Sequence, residues 1–220
     1  MDTSTQRGAL IVVEGLDRAG KSSQCEFLHK KLQDSGRSVK YIRFPDRTTA
    51  IGKMIDGYLR GQSHMDDHSI HLLFSANRWE VAQSIEKDIA NGVTVIVDRY
   101  SYSGAVYSAA KMNPTLSLEW AWTPEIGLPQ PDLCLFLSIS PEAAAQRGGF
   151  GAERYENSAM QSRVRELFQT IFRVQRSGNI RTIDAGRPFE AVSQDVETCV
   201  MDCIARLDTI GPLRKFESIA

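Results

Sequence analysis

Gly15-Leu16-Asp17-Arg18-Ala19-Gly20-Lys21-Ser22 is a full match to the phosphate-loop pattern G-x-x-x-x-G-K-[ST]. Its glycines let the backbone curl until the N–H groups point inward at phosphate oxygens, and a helix opening at Lys21 adds positive potential there. Lys21 would reach the outer phosphates, and the Ser22 hydroxyl would take a Mg2+ position. Asp98-Arg99-Tyr100 ends a β-branched run, so Asp98 is a candidate for orienting Mg2+, directly or through water. Phe44-Pro45-Asp46-Arg47 ends another run and puts Arg47 at the same sheet edge. Phosphoryl transfer between clustered phosphates needs several cations, and Arg18, Arg47, Arg78 and Arg99 could converge, each with a planar fork suited to phosphate. Phe74 and Arg78 lie one helical turn apart, where a ring can stack on a nucleobase while the guanidinium donates to its edge. Taken singly, a solvated surface position is the favoured reading for each arginine and plain core the favoured reading for Phe74. What raises the set above that reading is its attachment to strand ends and to the loop.

The elements that must position these residues follow from hydrophobic period. Short apolar runs at Ala9–Glu14, Val39–Phe44, Val93–Asp98, Leu133–Ile139 and Ile180–Asp184 alternate with helical stretches, the signature of βα units. Their central positions are apolar on both faces, as in a parallel sheet covered by helices on both sides. Helices are expected over Lys21–Leu32, from Asp67 to Asn91-Gly92, and around Ser103–Lys111, Pro141–Gln146, Asn157–Phe172 and Pro188–Leu207. Asn113–Pro131, with four prolines and two tryptophans, reads as a packed connection holding one helical piece. Gly148, Gly149 and Gly151 among charged residues read as a mobile lid at about 141–157. The chain is expected to be one domain over 1–220, with a frayed or disordered tail after residue 210.

Twenty-six Lys and Arg against 27 Asp and Glu leave a net charge of −1, too little excess for an electrostatic nucleic-acid binder. The first apolar run, Ala9–Val13, is too short to span a bilayer, so no membrane partner is expected. Cys25, Cys134, Cys199 and Cys203 are scattered, as reduced core residues of a cytoplasmic or nuclear protein would be. His64, His68 and His71, and the pair Cys199 and Cys203, have helical spacing but no clear fourth ligand, which argues against zinc.

With Leu72-Leu73-Phe74-Ser75-Ala76-Asn77-Arg78-Trp79-Glu80, Gly127-Leu128-Pro129-Gln130-Pro131-Asp132-Leu133 and Arg147-Gly148-Gly149-Phe150-Gly151-Ala152-Glu153-Arg154-Tyr155-Glu156-Asn157 added, the chain resembles the thymidylate kinases of eukaryotic type from about Arg7 to Leu207. The resemblance implies a P-loop NTPase fold with a five-stranded parallel sheet. It also implies transfer of the γ-phosphoryl of ATP to dTMP, giving dTDP and ADP with Mg2+, on the route to dTTP. Arg18, Lys21, Arg99 and Asp98 are then catalytic, and the loop from Gly15 through Ser22 to Ser23, with Arg147 and Arg187, binds ATP. Asp17, Phe44, Arg47, Phe74, Arg78, Arg99, Ser103, Gly104, Tyr107 and Tyr155 bind dTMP, and Ser22 and Asp98 serve Mg2+. By the same resemblance Asp17 holds the sugar 3′-hydroxyl, Tyr155 crowds the 2′ position, Tyr107 stands where related enzymes can carry Phe, and the protein is a homodimer. Two rivals remain: a deoxynucleoside kinase, for which the phosphate clamp at Arg47 has no purpose, and a nucleotide-gated switch protein, against which the absence of an Asn-Lys-x-Asp motif counts.

Overall fold

The computed structural model describes residues 6–140, 143–144, 147, 154–175 and 178–219. Strands β1 (Leu10–Gly15), β2 (Val39–Arg43), β3 (Thr94–Asp98), β4 (Leu133–Ser138) and β5 (Ile180–Asp184) form one parallel sheet in the order β2-β3-β1-β4-β5. Each lies within one residue of the run expected for it. β1 and β3 are buried throughout, which is why they read as unbroken apolar runs, whereas the edge strands β2 and β5 carry exposed residues.

The helices are α1 (Lys21–Asp34), α2 (Ala50–Leu59), α3 (Asp67–Ala90), α4 (Ser101–Ala109), α5 (Leu118–Trp122), α6 (Ser158–Gln175), α7 (Phe189–Ala205) and α8 (Leu207–Ile210), with a 3-10 turn at Thr123–Glu125. α1 and α7 pack together against the sheet, while α3, α4 and α6 form a second helical layer. None is long and apolar enough to cross a membrane. The pairings Val13↔Asp98, Arg43↔Asp98, Gly15↔Leu137 and Ser138↔Asp184 align the carboxyl ends of all five strands. Ligands of open α/β sheets bind along that edge.

Two features depart from the sequence reading. α2 was not anticipated, because Gly52 and Gly57 mask an apolar face of Ile51, Ile55, Tyr58 and Leu59. Thr49 caps it by accepting from the Gly52 N–H at 3.0 Å, and a side chain at residue 52 would run into the backbone of Asp46. The tail after Gly211, expected to fray, is docked. Phe216 is 1% exposed, exchanges backbone hydrogen bonds of 2.9 Å with Gly127 and Leu128, and sets its ring 4.8 Å from that of Trp122. A single aromatic among polar neighbours carries no period to announce this. The lid and the helix over Pro141–Gln146 lie mostly outside the described residues.

Candidate active site

A cavity of about 450 Å3 opens at the carboxyl edge of the sheet. One wall is the phosphate loop, where Gly15 (φ 151°) and Gly20 (φ 87°) take conformations that disfavour side chains, and Gly20 immediately precedes α1. A Cβ on Gly15 would also press on the Leu137 carbonyl at 2.6 Å. Leu16 and Ala19 are buried beneath the loop, and Asp17, Arg18, Lys21, Ser22 and Ser23 line the cavity. Arg18 (φ 64°) and Arg99 (φ 65°) both sit in the left-handed region, which costs non-glycine residues about 1–3 kcal/mol each and recurs at functional sites.

Lys21 donates to the Leu16 carbonyl at 2.5 Å. Burial, reinforced by Arg99, lowers its pKa to about 8 against the pull of Asp17, Asp98 and Glu14. Ser22 donates to Oδ2 of Asp98 at 2.6 Å, while the buried Oδ1 of Asp98 has no hydrogen-bond partner. Arg18 reaches Glu156 at 3.2 Å. Arg147 crosses from the Arg18 carbonyl at 2.9 Å to that of Ala185 at 2.6 Å, so it ties the phosphate loop to the turn after β5.

Arg99 is ion-paired with Asp17, and its other nitrogen lies 3.3 Å from the Gly15 carbonyl and 3.4 Å from Ser103. Asp17 also accepts from Tyr107 at 3.1 Å and from Gln161 at 2.7 Å. Burial would raise this carboxyl, but Arg99, Lys21 and the two hydrogen bonds outweigh it and hold Asp17 below the ordinary carboxylate range. Tyr107 thus supplies a hydroxyl bond to Asp17 that a phenylalanine would lack.

The opposite wall is built by α3, α4 and the turn after β2. Phe44, Arg47, Phe74, Arg78, Gly104 and Tyr155 all line the cavity. Arg78 is 2% exposed and pairs through Nε and Nη2 with Glu125, at 2.7 and 2.5 Å. Gly104 permits this, since a Cβ there would stand 2.9 Å from the Arg78 Cζ. Arg47 pairs with Asp56 of α2 at 2.7 Å. α2 and α3 share a small apolar cluster of Ile55, Tyr58, Leu59 and Ile70 against which Phe74 and Tyr155 pack.

Among the nucleotide-binding residues expected from the sequence, Arg187 stands on the surface, paired with Asp195. Of the histidines and cysteines, His71 is buried on α3, His68 contacts Trp120, and Cys199 and Cys203 lie on α7. Four side chains that hold the site were missed. Glu14, buried at the end of β1, accepts the backbone N–H groups of Tyr100 and Ser103 at 2.9 and 3.0 Å and the Ser103 hydroxyl, fixing the turn that carries Arg99. Its own pKa is raised by burial despite those donors. Asn77 accepts from Asp46 N–H at 2.7 Å and so pins the turn of Arg47. Gln161 and Glu125 complete the set. Glu125 lies in a proline-rich connection and Gln161 on an amphipathic helix, where sequence context marks neither.

A phosphate loop between the central strand and its helix, facing arginines across one cavity, defines a P-loop nucleotide-binding kinase. Residues 13–196 match the family model described as thymidylate kinase. The chain is 48% identical to the thymidylate kinase of Danio rerio over 88% of this chain and 90% of that one. It is 46% identical to the thymidylate kinase of Homo sapiens over 96% and 97% of the two chains. The solved structure of the thymidylate kinase from Candida albicans superposes with a TM-score of 0.84 at 36% identity, covering 96% of this chain and 99% of that one. The chain belongs to the thymidylate kinase family.

Proposed function

We propose a division of labour among the site residues for the reaction this family defines, the transfer of the γ-phosphoryl of ATP to dTMP to give dTDP and ADP. The observation that carries it is one cavity shared by the phosphate loop and by an aromatic and arginine-lined pocket. The loop from Gly15 to Ser23 cradles the ATP phosphates and Lys21 neutralises the outer ones. Arg18 reaches the moving phosphoryl group. Arg147 and the Asp184–Arg187 turn hold adenine. Phe74 stacks on thymine, Arg78 donates to its O4, Asp17 receives the 3′-hydroxyl, and Tyr155 crowds the 2′ position. Arg47, Arg99, Phe44, Ser103, Gly104 and Tyr107 complete the acceptor side, the two arginines as the clamp on its phosphate.

Alignment of the two oxygens and neutralisation of developing charge then supply the catalysis. The hard oxygens of Ser22 and Asp98, one of them buried and unpartnered, suit Mg2+. These two residues would hold it, directly or through water. Once bound, the ion would neutralise charge on the β- and γ-phosphates.

On α3, Ser69, Leu72, Ala76, Trp79 and Gln83 repeat at heptad spacing, with Leu72 48% and Trp79 44% exposed beside an exposed Ile126. This face supports a homodimer, testable by sedimentation of Trp79→Lys, which is expected to shift the protein to monomer. Four free thiols, of which Cys25, Cys134 and Cys203 are buried, support a reducing compartment, cytoplasm or nucleus.

The test is ADP release with ATP, Mg2+ and each of dTMP, dUMP, thymidine, dCMP and AMP. The strongest response is expected with dTMP and none with thymidine. Turnover of thymidine would point to a nucleoside kinase, and release indifferent to every acceptor would point to a switch protein.

A further inference from the structure

The tail at residues 212–219 lies antiparallel along the connection that carries Glu125, with Lys215 bridged to Pro129. Gly127 N–H donates to the Phe216 carbonyl at 2.9 Å, and Gln130 N–H to the Arg214 carbonyl at 2.8 Å. In return Phe216 N–H donates to the Leu128 carbonyl at 2.9 Å, and Leu128 N–H donates to the carbonyl of Glu125 itself at 3.1 Å. On the other side of Glu125, the Trp122 indole N–H donates to the Glu217 carbonyl at 2.8 Å. Glu125 therefore sits between two anchors, both bonded to the tail. Lys215 adds an ion pair with Glu86 of α3 at 3.2 Å.

The connection needs this support. Pro124, Pro129 and Pro131 have no N–H, which leaves it fewer donors for a ladder or helix of its own. From α3 it receives the Ser75 hydroxyl and the Trp79 indole N–H, both on the Pro124 carbonyl, at 3.0 and 2.8 Å. The tail holds the residues that follow. The Glu125–Arg78 pair is buried, with side chains 0% and 3% exposed. A buried pair offsets its desolvation only with close to ideal geometry, so a displacement of Glu125 is passed on to the guanidinium.

The Phe216 ring also reaches the support of a second arginine. Its centroid lies 5.5 Å from that of Tyr102 and 6.0 Å from that of Tyr100, in addition to the contact with Trp122. Tyr100 directly follows Arg99, is buried, and sets its ring 5.8 Å from that of Phe44 in the cavity wall. One ring thus backs Trp122, just ahead of Glu125, and Tyr100, the neighbour of Arg99. The phosphate loop is held by other groups, among them Arg147, Glu156 and Gln161.

We propose that the tail is a strap behind the acceptor wall, with Phe216 the positioning residue. It keeps Glu125 and Tyr100, and through them Arg78 and Arg99, in the arrangement that binds dTMP, while the donor end does not depend on it. The inference rests on the cavity of Phe74 and Arg78 being the dTMP site. Linkage makes the effect two-sided: whatever factor tail docking adds to dTMP affinity, dTMP adds to tail docking.

The experiment measures by calorimetry the Kd of dTMP and of a non-hydrolysable ATP analogue for the full chain, as wild type, Phe216→Ala, Phe216→Leu and Val200→Ala. It also follows hydrogen exchange of the Gly127 and Phe216 amides in the wild type. Phe216→Ala is expected to weaken dTMP about tenfold and leave the ATP analogue within about twofold. Phe216→Leu, which keeps most of the apolar bulk, should stay within about threefold of the wild type for both ligands. Val200→Ala, which opens a cavity at a fully buried position on α7, should move neither Kd by more than about twofold. Saturating dTMP should slow exchange of the two amides about tenfold, and the ATP analogue alone should leave them within about twofold. Equal weakening of both ligands in Phe216→Ala, unchanged dTMP affinity, or the same split in Val200→Ala would overturn the proposal. So would amides indifferent to dTMP or slowed as much by the ATP analogue. Should Phe216→Ala fail to fold, the exchange measurement, which needs no variant, decides. A wild type that binds no dTMP would instead overturn the dTMP reading beneath it.

Discussion

The two ends of the cavity are built by different means. At the acceptor end the polar side chains are held by other side chains: Arg78 by Glu125 in a buried pair, Asp17 by Arg99, Tyr107 and Gln161, and Arg47 by the half-buried Asp56. At the donor end side-chain pairs are fewer, Ser22 with Asp98 and Arg18 with Glu156, and backbone does more: the loop amides and the carbonyls of Arg18 and Ala185 that Arg147 bridges, with Arg187 exposed alongside. A nucleobase must be told from its relatives by hydrogen-bond pattern, which needs fixed side chains. A triphosphate is recognised chiefly by charge, which the curled backbone supplies together with the few cations it carries. Selectivity is therefore expected at the acceptor end and rate at the loop.

The largest expected effect breaks the acceptor end. Glu125→Ala leaves the Arg78 charge buried without its partner and should cost about 3–5 kcal/mol of stability in chemical denaturation, with Arg78→Leu in the same chain recovering much of it. At the loop, Arg18→Ala should lower kcat on the order of a hundredfold, about 2.7 kcal/mol of transition-state stabilisation, with stability little changed. Unchanged kcat with only weaker ATP binding would remove Arg18 from catalysis.

Between natural acceptors the contrast should be smaller. dUMP lacks one methyl group, so its kcat/KM should fall by about 1–3 kcal/mol relative to dTMP, a poorer substrate and not an excluded one. Next is the pH dependence of the donor end. Lys21 titrates near 8 in the free protein, and bound phosphates favour its charged form. ATP affinity should therefore be flat from pH 7 to about 8 and weaken above it, by at most about tenfold per pH unit. Calorimetric titration across that range checks the sign. The smallest effect is at Arg187, whose exposed pairing with Asp195 should let Arg187→Ala keep the KM for ATP within about twofold.

How much of this was legible in the sequence depended on whether a residue's role was local. The phosphate loop, strand ends and Phe74-Arg78 spacing are local patterns, and the structure brings these residues to one cavity. The strands were equally plain, because burial on both faces leaves unbroken apolar runs. Glu14, Asn77, Gln161 and Glu125 act across the fold, on partners 31 to 144 residues away, and no short spacing marks them. α2 was hidden by its two glycines and the docked tail by the isolation of Phe216. Arg187 shows the converse, a residue beside a functional turn whose side chain points to a surface partner.

The central claim is that the acceptor end is already assembled before ATP arrives. The direct test is calorimetric titration of dTMP into the protein with no donor nucleotide, for the wild type and for Arg78→Leu and Arg187→Ala. The account predicts one dTMP bound per chain in the wild type, unchanged in Arg187→Ala and weakened by about tenfold or more in Arg78→Leu. Binding of dTMP only after a donor analogue is added, or equal weakening in both variants, would contradict it.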